Sequence, residues 1–340
     1  MKHVVVTDDL REAAIRPRAF YHEYVRRLEI DARRFLAESR ELRPHACPGC
    51  GGQDSAPAFA KLGFEYRRCA TCRSLFVSPR PPAAALAQFV RSAGALDFWR
   101  REFSSETAQE RTRGVFRPRA RWIEASLGSY TGAPGSLVDV QTKSVGLLQA
   151  IVDLGVFPRS WSVAPQVAER EVRAIAGVEV VETLDALVAA HAGEIGVVVA
   201  HECLERAPDP ASFIAQIVRC LRPGGLLFAT TLNASGFDIQ VLGPRSRSLL
   251  PPLQLNVLTL EGLQRLLEGH GLELLELSTP GQLDTEIVRH ALEEDAALAL
   301  PPFASELVGY RDEAVHQAFQ EFLQGARLSS HVRLAARRVE

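Results

Sequence analysis

The chain has 340 residues, of which 46% are hydrophobic and 24% are charged. This is the composition of a globular protein and excludes an intrinsically disordered chain. A formal net charge of -2 gives no general attraction to nucleic acid or to an acidic membrane surface. No stretch reaches the roughly 18 consecutive apolar residues that a membrane span needs. We therefore expect a cytoplasmic protein without a membrane partner.

Two segments of the N-terminal third predict helices. Apolar residues recur at helical spacing between charged ones over residues 11–42 and again over residues 83–127. The second segment follows Pro79-Arg80-Pro81-Pro82, a stiff sequence that cannot continue a helix or a central strand. The sequence therefore predicts N-terminal helices over residues 1–45 and a helical linker over residues 83–130.

Four cysteines lie between these helical segments in two C-x2-C pairs. Cys47 pairs with Cys50 and Cys69 with Cys72, and 18 residues separate the two pairs. This spacing is typical of a tetrahedral four-cysteine zinc site, the alternative being free buried cysteines. Because four thiolates fill the shell of the ion, the predicted role is structural. We predict a zinc knuckle over residues 46–82 and, from the absence of a disulfide pattern, a reducing compartment.

The remaining chain predicts an α/β domain over residues 131–340. Short β-branched runs alternate with helical stretches, which is the pattern of βα units and a parallel sheet. Strands are predicted at 136–140, 161–164, 178–181, 197–200, 226–231, 272–277 and 331–337, and helices at 145–154, 167–176, 184–192 and 210–221. The last helix is expected to end at a turn formed by Arg222-Pro223-Gly224-Gly225. A helical insertion is expected at about 280–327, within a doubly wound, mostly parallel, seven-stranded Rossmann-like sheet.

The most recognisable motifs lie in the middle of this domain, from Val197 to Pro210 and from Leu221 to Leu227. Their order and spacing resemble the fourth strand, the following helix and the fifth strand of the class I S-adenosylmethionine-dependent methyltransferases. The segment Leu75 to Pro81 is similar to the one that leaves the zinc knuckle in a bacterial group of that family. The resemblance covers most of the chain and implies a methyltransferase sheet preceded by a helical and zinc-ribbon segment.

The resemblance also implies that S-adenosylmethionine binds at the loop after the first strand, where the family has D-V-G-x-G-x-G. This chain keeps Asp139 but has Gln141, Lys143 and Val145 at the glycine positions, and Gly146 stands one place late. A glycine in such a loop lets the backbone approach the cofactor closely. The substitutions therefore predict a loop that holds the cofactor in another way or not at all.

Three further positions differ from the family. Ala164 replaces the acidic residue that binds the ribose hydroxyls, while Arg206 and Gln254 each replace a histidine. His201 and Glu202 directly follow the fourth strand, where a ligand of this fold is expected, although a solvent-facing strand end is equally compatible. No catalytic residue is assigned. The predicted cofactor-binding residues are Asp139, Gln141, Lys143, Gly146, Ala164, His201 and Glu202.

Two functional hypotheses follow from these observations. As an enzyme, the chain would transfer a methyl group from S-adenosylmethionine to a small or sugar-linked acceptor, as the resemblance implies. As a catalytically impaired scaffold or partner subunit, it would keep the fold without binding the cofactor conventionally, which the four departures favour. A weaker hypothesis is RNA association through the arginines around the cysteines and in the helical linker, for which we prefer a solvated or interdomain face. These arginines are Arg67, Arg68, Arg73 and Arg80 around the cysteines and Arg111, Arg113, Arg117, Arg119 and Arg121 in the linker. The expected partners are thus a small-molecule acceptor or a protein rather than nucleic acid.

Overall fold

The computed structural model describes residues 10–39, 41–140, 145–163, 169–295 and 297–339. The chain divides into two compact units, each assembled from separate stretches of sequence. The first comprises Met1–Thr107, Leu232–Leu263 and Ser278–Val332, and the second comprises Ala108–Thr231, Gln264–Leu277 and Arg333–Glu340. The chain therefore passes from the first unit into the second and back more than once.

Strands and helices alternate along most of the described chain. The strands are β1 (Ser55–Lys61), β2 (Phe64–Cys69), β3 (Leu75–Val77), β4 (Leu137–Val140), β5 (Ser160–Val163), β6 (Val178–Val181), β7 (Ile195–His201), β8 (Leu221–Leu232), β9 (Asn256–Val257), β10 (Leu272–Ser278) and β11 (His331–Arg338). The helices are α1 (Glu12–Ile15), α2 (Arg18–Glu38), α3 (Ala83–Ser92), α4 (Gly94–Phe98), α5 (Ser104–Glu106), α6 (Ala108–Arg111), α7 (Arg117–Tyr130), α8 (Val145–Val152), α9 (Glu169–Arg173), α10 (Leu184–His191), α11 (Pro210–Cys220), α12 (Phe237–Leu242), α13 (Leu260–Glu268), α14 (Asp284–Glu294), α15 (Pro302–Tyr310) and α16 (Glu313–Gly325). In the described part of the chain, none of these helices has the length and apolar character needed to cross a bilayer.

The second unit is built on a seven-stranded sheet, which confirms the predicted fold class. Its strand order is β10-β11-β8-β7-β4-β5-β6. The five strands from β8 to β6 in this order pair in parallel. Every residue of β7 is buried, as expected for a continuous apolar strand that is covered on both faces. The next helix, α11, begins where the Asp209 side chain accepts hydrogen bonds from two backbone amides of its first turn.

The helix α11 ends at Cys220, just before Arg222–Gly225, as the sequence predicts. The strand start differs from the prediction, because β8 begins at Leu221 and not at Leu226. Leu221 pairs with Ile195 of β7, and the register shifts before the next pair. The proline and glycines are therefore absorbed as an irregularity inside the strand, where Gly224 adopts the left-handed backbone (φ +74) that suits glycine.

Helices α7 and α8 cover the seven-stranded sheet of the second unit. Ile123 of α7 and Ile151 of α8 are fully buried, and both belong to one apolar cluster with Val199 of β7 and Phe228 of β8. The Trp122 ring meets the Phe228 ring edge-on, with 5.3 Å between their centroids. This cluster fixes the strands whose ends form the candidate site.

The first unit contains an antiparallel sheet with the order β1-β2-β3-β9. Helix α2 buries Tyr21, Tyr24, Leu28 and Ala32, which lie three or four residues apart and therefore share one face of the helix. Tyr24 packs against the Trp99 ring at a centroid distance of 4.9 Å. The strand β9 comes from a part of the sequence far from β1–β3, so the cysteine-containing segment is not a free-standing sheet.

Two carboxyl groups are buried close together in the first unit. Asp284 accepts hydrogen bonds from the backbone amide of Ser330 at 2.6 Å and from the hydroxyl of Ser329 at 2.6 Å. Asp238 accepts from the Ser248 hydroxyl at 2.9 Å and is 0% exposed. Burial, reinforced by the negative charge of Asp284, raises the pKa of Asp238 from 3.8 to about 6.

Replacing Asp238 with asparagine is expected to change how the stability of the protein depends on pH. The pKa of Asp238 is higher in the folded chain, so the folded state retains a proton that the unfolded state releases, and stability is lost as pH rises from 4 through 6. A shift of this size corresponds to about 3 kcal/mol. In denaturant unfolding, the free energy of unfolding of Asp238→Asn should rise relative to that of the wild type as the pH increases from 4 to 6. A difference that stays constant from pH 4 to pH 8 would contradict the burial argument.

Candidate functional site

The candidate ligand site lies at the carboxyl ends of β4 and β7, where the strand order reverses. From β4 the chain continues to β5 and β6 on one side, and then to β7 and β8 on the other. Ligands of doubly wound folds bind at such a switch point. The two strand ends are joined directly, because the Cys203 thiol donates to the carbonyl oxygen of Val140 at 3.3 Å.

His201 and Glu202 both lie at this edge, but in different environments. The imidazole of His201 is 7% exposed, and its Nδ1 lies 3.2 Å from the hydroxyl of Thr230 at the end of β8. Glu202 has a left-handed backbone (φ +53), and its Oε1 accepts from the Arg119 guanidinium at 3.3 Å. The interpretation of a solvent-facing strand end therefore fails for His201, whose ring is buried.

Asp139 places a third polar side chain at this edge. It is 5% exposed and pairs in register with Val199 of β7 and Ser162 of β5. Gly146 is half-buried near the start of α8. The sheet thus brings Asp139, His201 and Glu202 to the ends of adjacent strands. The other predicted cofactor residues, Gln141, Lys143 and Ala164, lie outside the described residues.

Several residues at or near this edge differ from the sequence interpretation. Sequence reasoning placed Arg119 among the linker arginines without connecting it to this edge. It missed Thr230, whose signal was a threonine pair near a strand end. Glu205 accepts from the Thr231 hydroxyl at 2.9 Å and is 2% exposed, which indicates a structural role. In the first unit, the Gln254 side chain accepts from the backbone amide of Leu250 at 3.0 Å.

The four paired cysteines of the first unit converge on one point. Their sulfur atoms all lie within 4.8 Å of one another, with Cys47 and Cys72 separated by 3.4 Å and Cys50 and Cys69 by 3.6 Å. These distances are too long for disulfides. A tetrahedral ion with sulfur ligands at 2.3 Å requires sulfur separations of about 3.8 Å, so the donor set fits a four-thiolate metal ion.

Polar groups outside the four cysteines orient Cys72. The Ser74 hydroxyl lies 3.2 Å from its sulfur and accepts from the backbone amide of Thr259 at 3.0 Å. The Thr259 hydroxyl in turn donates to the carbonyl oxygen of Cys72 at 2.6 Å. The hydrogen bond with Cys47 lowers the pKa of the Cys72 thiol. Thr259, the residue directly before α13, therefore helps to orient Cys72.

The arginines around the cysteines fall into two groups. Arg80 is 1% exposed and donates to the side chain of Asn256 at 2.9 Å, and Arg67 donates to Glu65 at 2.9 Å. Arg68 and Arg73 instead line a groove beside Cys69. Burial, together with the nearby charge of Arg73, lowers the pKa of Arg68. The expected solvated face is therefore wrong for Arg80, which is a buried structural residue.

The second unit has a Rossmann-like sheet with polar residues at its switch point, and a family model matches nearly half of the chain. Residues 118–277 match a family model described as a methyltransferase domain. The matched segment starts within α7, ends within β10 and includes Asp139, His201 and Glu202. The coarse part of the sequence interpretation, a class I methyltransferase domain, is supported by this match.

Individual relatives match shorter segments. The ubiquinone biosynthesis O-methyltransferase of Thiobacillus denitrificans is 47% identical over 57 residues, which are 16% of this chain and 25% of that protein. The protein of the same description from Aromatoleum aromaticum is 49% identical over 45 residues, which are 13% of this chain and 19% of that protein. The chain thus matches about a quarter or less of the length of these curated relatives.

Among solved structures, the geranyl diphosphate C-methyltransferase of Streptomyces coelicolor A3(2) is similar with a TM-score of 0.43 and 16% identity. The similarity covers 70% of this chain and 85% of that one.

A methyl group added at Gly262 is expected to destabilise the cysteine cluster. A Cβ there would lie 2.3 Å from the Ser74 hydroxyl and 3.4 Å from the sulfur of Cys72. We expect Gly262→Ala to lower the free energy of unfolding by about 1–3 kcal/mol. The matched control is Gly128→Ala in α7, where a Cβ meets nothing within 4 Å and should stabilise by about 0.5–1 kcal/mol. Equal stability of the two variants would contradict the proposed close contact.

Proposed function

We propose that the chain is an S-adenosylmethionine-dependent methyltransferase that acts on a small-molecule acceptor. The observation that carries the proposal is the convergence of Asp139, His201 and Glu202 at the switch point of a domain that matches a methyltransferase family. The named activity of the partial relatives, O-methylation in ubiquinone biosynthesis, is compatible with a hydroxyl acceptor. Nothing in the family match favours the scaffold alternative over the enzyme.

The residues at the strand ends have distinct proposed roles. When bound, S-adenosylmethionine supplies a methyl group on a positively charged sulfur. Asp139 provides a buried carboxylate at the end of β4, and Gly146 leaves the start of α8 without a side chain. From the sequence alone, we propose Gln141, Lys143 and Ala164 as further contacts of the cofactor.

His201 and Glu202 complete the proposed site from β7. Thr230 fixes the orientation of the imidazole, and Arg119 fixes the carboxylate of Glu202. An imidazole can take a proton from a hydroxyl acceptor near neutral pH, whereas methyl transfer itself requires mainly alignment of the acceptor with the methyl group. We infer that this pair contacts the cofactor or the acceptor.

We infer further that Cys47, Cys50, Cys69 and Cys72 hold a structural zinc ion. A shell of four thiolates leaves no position for substrate, so the ion would stabilise the segment and take no part in methyl transfer. Two strands of the antiparallel sheet, β3 and β9, have only three and two residues. A bound metal adds directly to the free energy of folding of such a segment.

The enzyme proposal predicts binding of S-adenosylhomocysteine, the demethylated product. Calorimetric titration should show saturable binding in the micromolar range. We expect Asp139→Asn and Glu202→Gln to weaken it about tenfold or more, since each removes a charge that can accept a hydrogen bond from the ligand. Glu179→Gln, on the exposed side of β6, is the control and should bind as the wild type does.

Absence of binding up to millimolar ligand would contradict the enzyme proposal and leave the scaffold alternative. Thermal unfolding of each variant separates loss of the site from loss of the fold.

The metal proposal predicts about one zinc ion per chain by elemental analysis. Cys69→Ser should release the ion and lower the unfolding temperature of the first unit, because the remaining thiols lose their shared partner. Cys220→Ala is the control, since Cys220 is buried in the second unit and should keep the zinc content unchanged. A fully folded protein that contains no metal would overturn the assignment.

A further inference from the structure

We propose that the groove beside Cys69 binds the phosphate group of a small phosphorylated molecule. The groove is open to solvent, has a volume of about 460 Å³ and is lined by residues 54–56, residues 68–70 and Arg73. Sites for small ligands commonly have volumes of about 300–1,000 Å³. The groove is formed within the first unit, and its function does not depend on the proposed methyl transfer.

Two guanidinium groups supply the positive charge of the groove. Arg68 is half-buried and donates one N–H group to the carbonyl oxygen of Arg73 at 3.3 Å. Within the described chain, neither Arg68 nor Arg73 has a carboxylate partner. A guanidinium has five N–H donors in a planar fork that matches phosphate oxygens. Most of the donors of this pair therefore remain available to an anion.

The third charged group of the groove indicates what else the ligand carries. Asp54 is exposed and lines the same groove, so two positive charges and one negative charge leave an excess of one positive charge. A carboxylate repels phosphate but accepts hydrogen bonds from hydroxyl groups. Two guanidinium groups and one carboxylate therefore fit a phosphate ester with a hydroxyl group near its phosphate better than they fit inorganic phosphate.

The number of available arginines favours a small molecule over a nucleic acid. Arg67 and Arg80, the other arginines near the cysteines, already bind Glu65 and Asn256. A nucleic-acid site commonly neutralises about 6–10 phosphates, whereas two guanidinium groups suffice for one or two. Two of the four arginines that surround the cysteines are therefore already engaged within the protein.

The backbone at Arg73 provides a variant that separates ligand binding from folding. Arg73 adopts a left-handed conformation (φ +61), which costs a residue with a Cβ about 1–2 kcal/mol relative to glycine. Arg73→Gly therefore removes a guanidinium while relieving backbone strain. The variant should unfold at the same or a higher temperature than the wild type.

The test is calorimetric titration of the full chain with glycerol 3-phosphate and, separately, with inorganic phosphate. We expect saturable binding at one site, tighter for glycerol 3-phosphate than for inorganic phosphate. Arg68→Gln and Arg73→Gly should each weaken this binding at least about tenfold, since each removes a charge-assisted hydrogen-bond donor. Arg43→Gln is the control, because Arg43 is exposed and pairs with Glu41 at 2.8 Å; its binding should equal that of the wild type.

Three results would overturn the proposal. The first is that neither phosphorylated probe binds. The second is that the Arg68 and Arg73 variants bind the probes as tightly as the control does. The third is that single-stranded RNA binds at this groove and neither small probe displaces it. An Asp54→Asn variant tests the hydroxyl contact. It should reduce the preference for glycerol 3-phosphate over inorganic phosphate, and an unchanged preference would count against a ligand that carries a hydroxyl group.

Discussion

The parallel pairing of β4 with β7 is the constraint on which the candidate ligand site depends. The two strands are neighbours in space, but β5 and β6 with their helices lie between them in sequence. Backbone hydrogen bonds between them bring Asp139 opposite Val199, and the contact from Cys203 to Val140 joins the strand ends. Without this pairing, the polar residues after each strand would have no common edge.

Local sequence patterns were sufficient for much of the fold. The β7 sequence is a continuous apolar run, and the strand extends from Ile195 to His201, slightly beyond the predicted bounds. The cysteine cluster was also predictable, because each C-x2-C pair fixes two sulfur atoms within a single turn. Where the spacing of residues along the chain determines the local geometry, that geometry can be predicted from the sequence.

Features that depend on distant parts of the chain could not be predicted in the same way. The partner of Glu202 is Arg119, 83 positions away, and the carboxyl groups of Asp238 and Asp284 meet only after tertiary folding. Arg80 stands between prolines in a segment interpreted as exposed, yet it donates to Asn256. In each case a polar side chain is satisfied by a group that no local pattern identifies. The start of β8 was predicted too late for a different reason. Proline and glycine signal a break in the strand whether they form a turn or a bulge.

The contact between Cys72 and Thr259 has a consequence for protein synthesis. The two residues are 187 positions apart, so a ribosome completes all four cysteines long before it reaches the threonine. The nascent chain could capture a metal ion early through its thiolates, but the groups that orient Cys72 arrive only after the seven-stranded domain has largely emerged. Assembly of the cysteine cluster during translation would therefore have an early coordination stage and a late hydrogen-bonding stage.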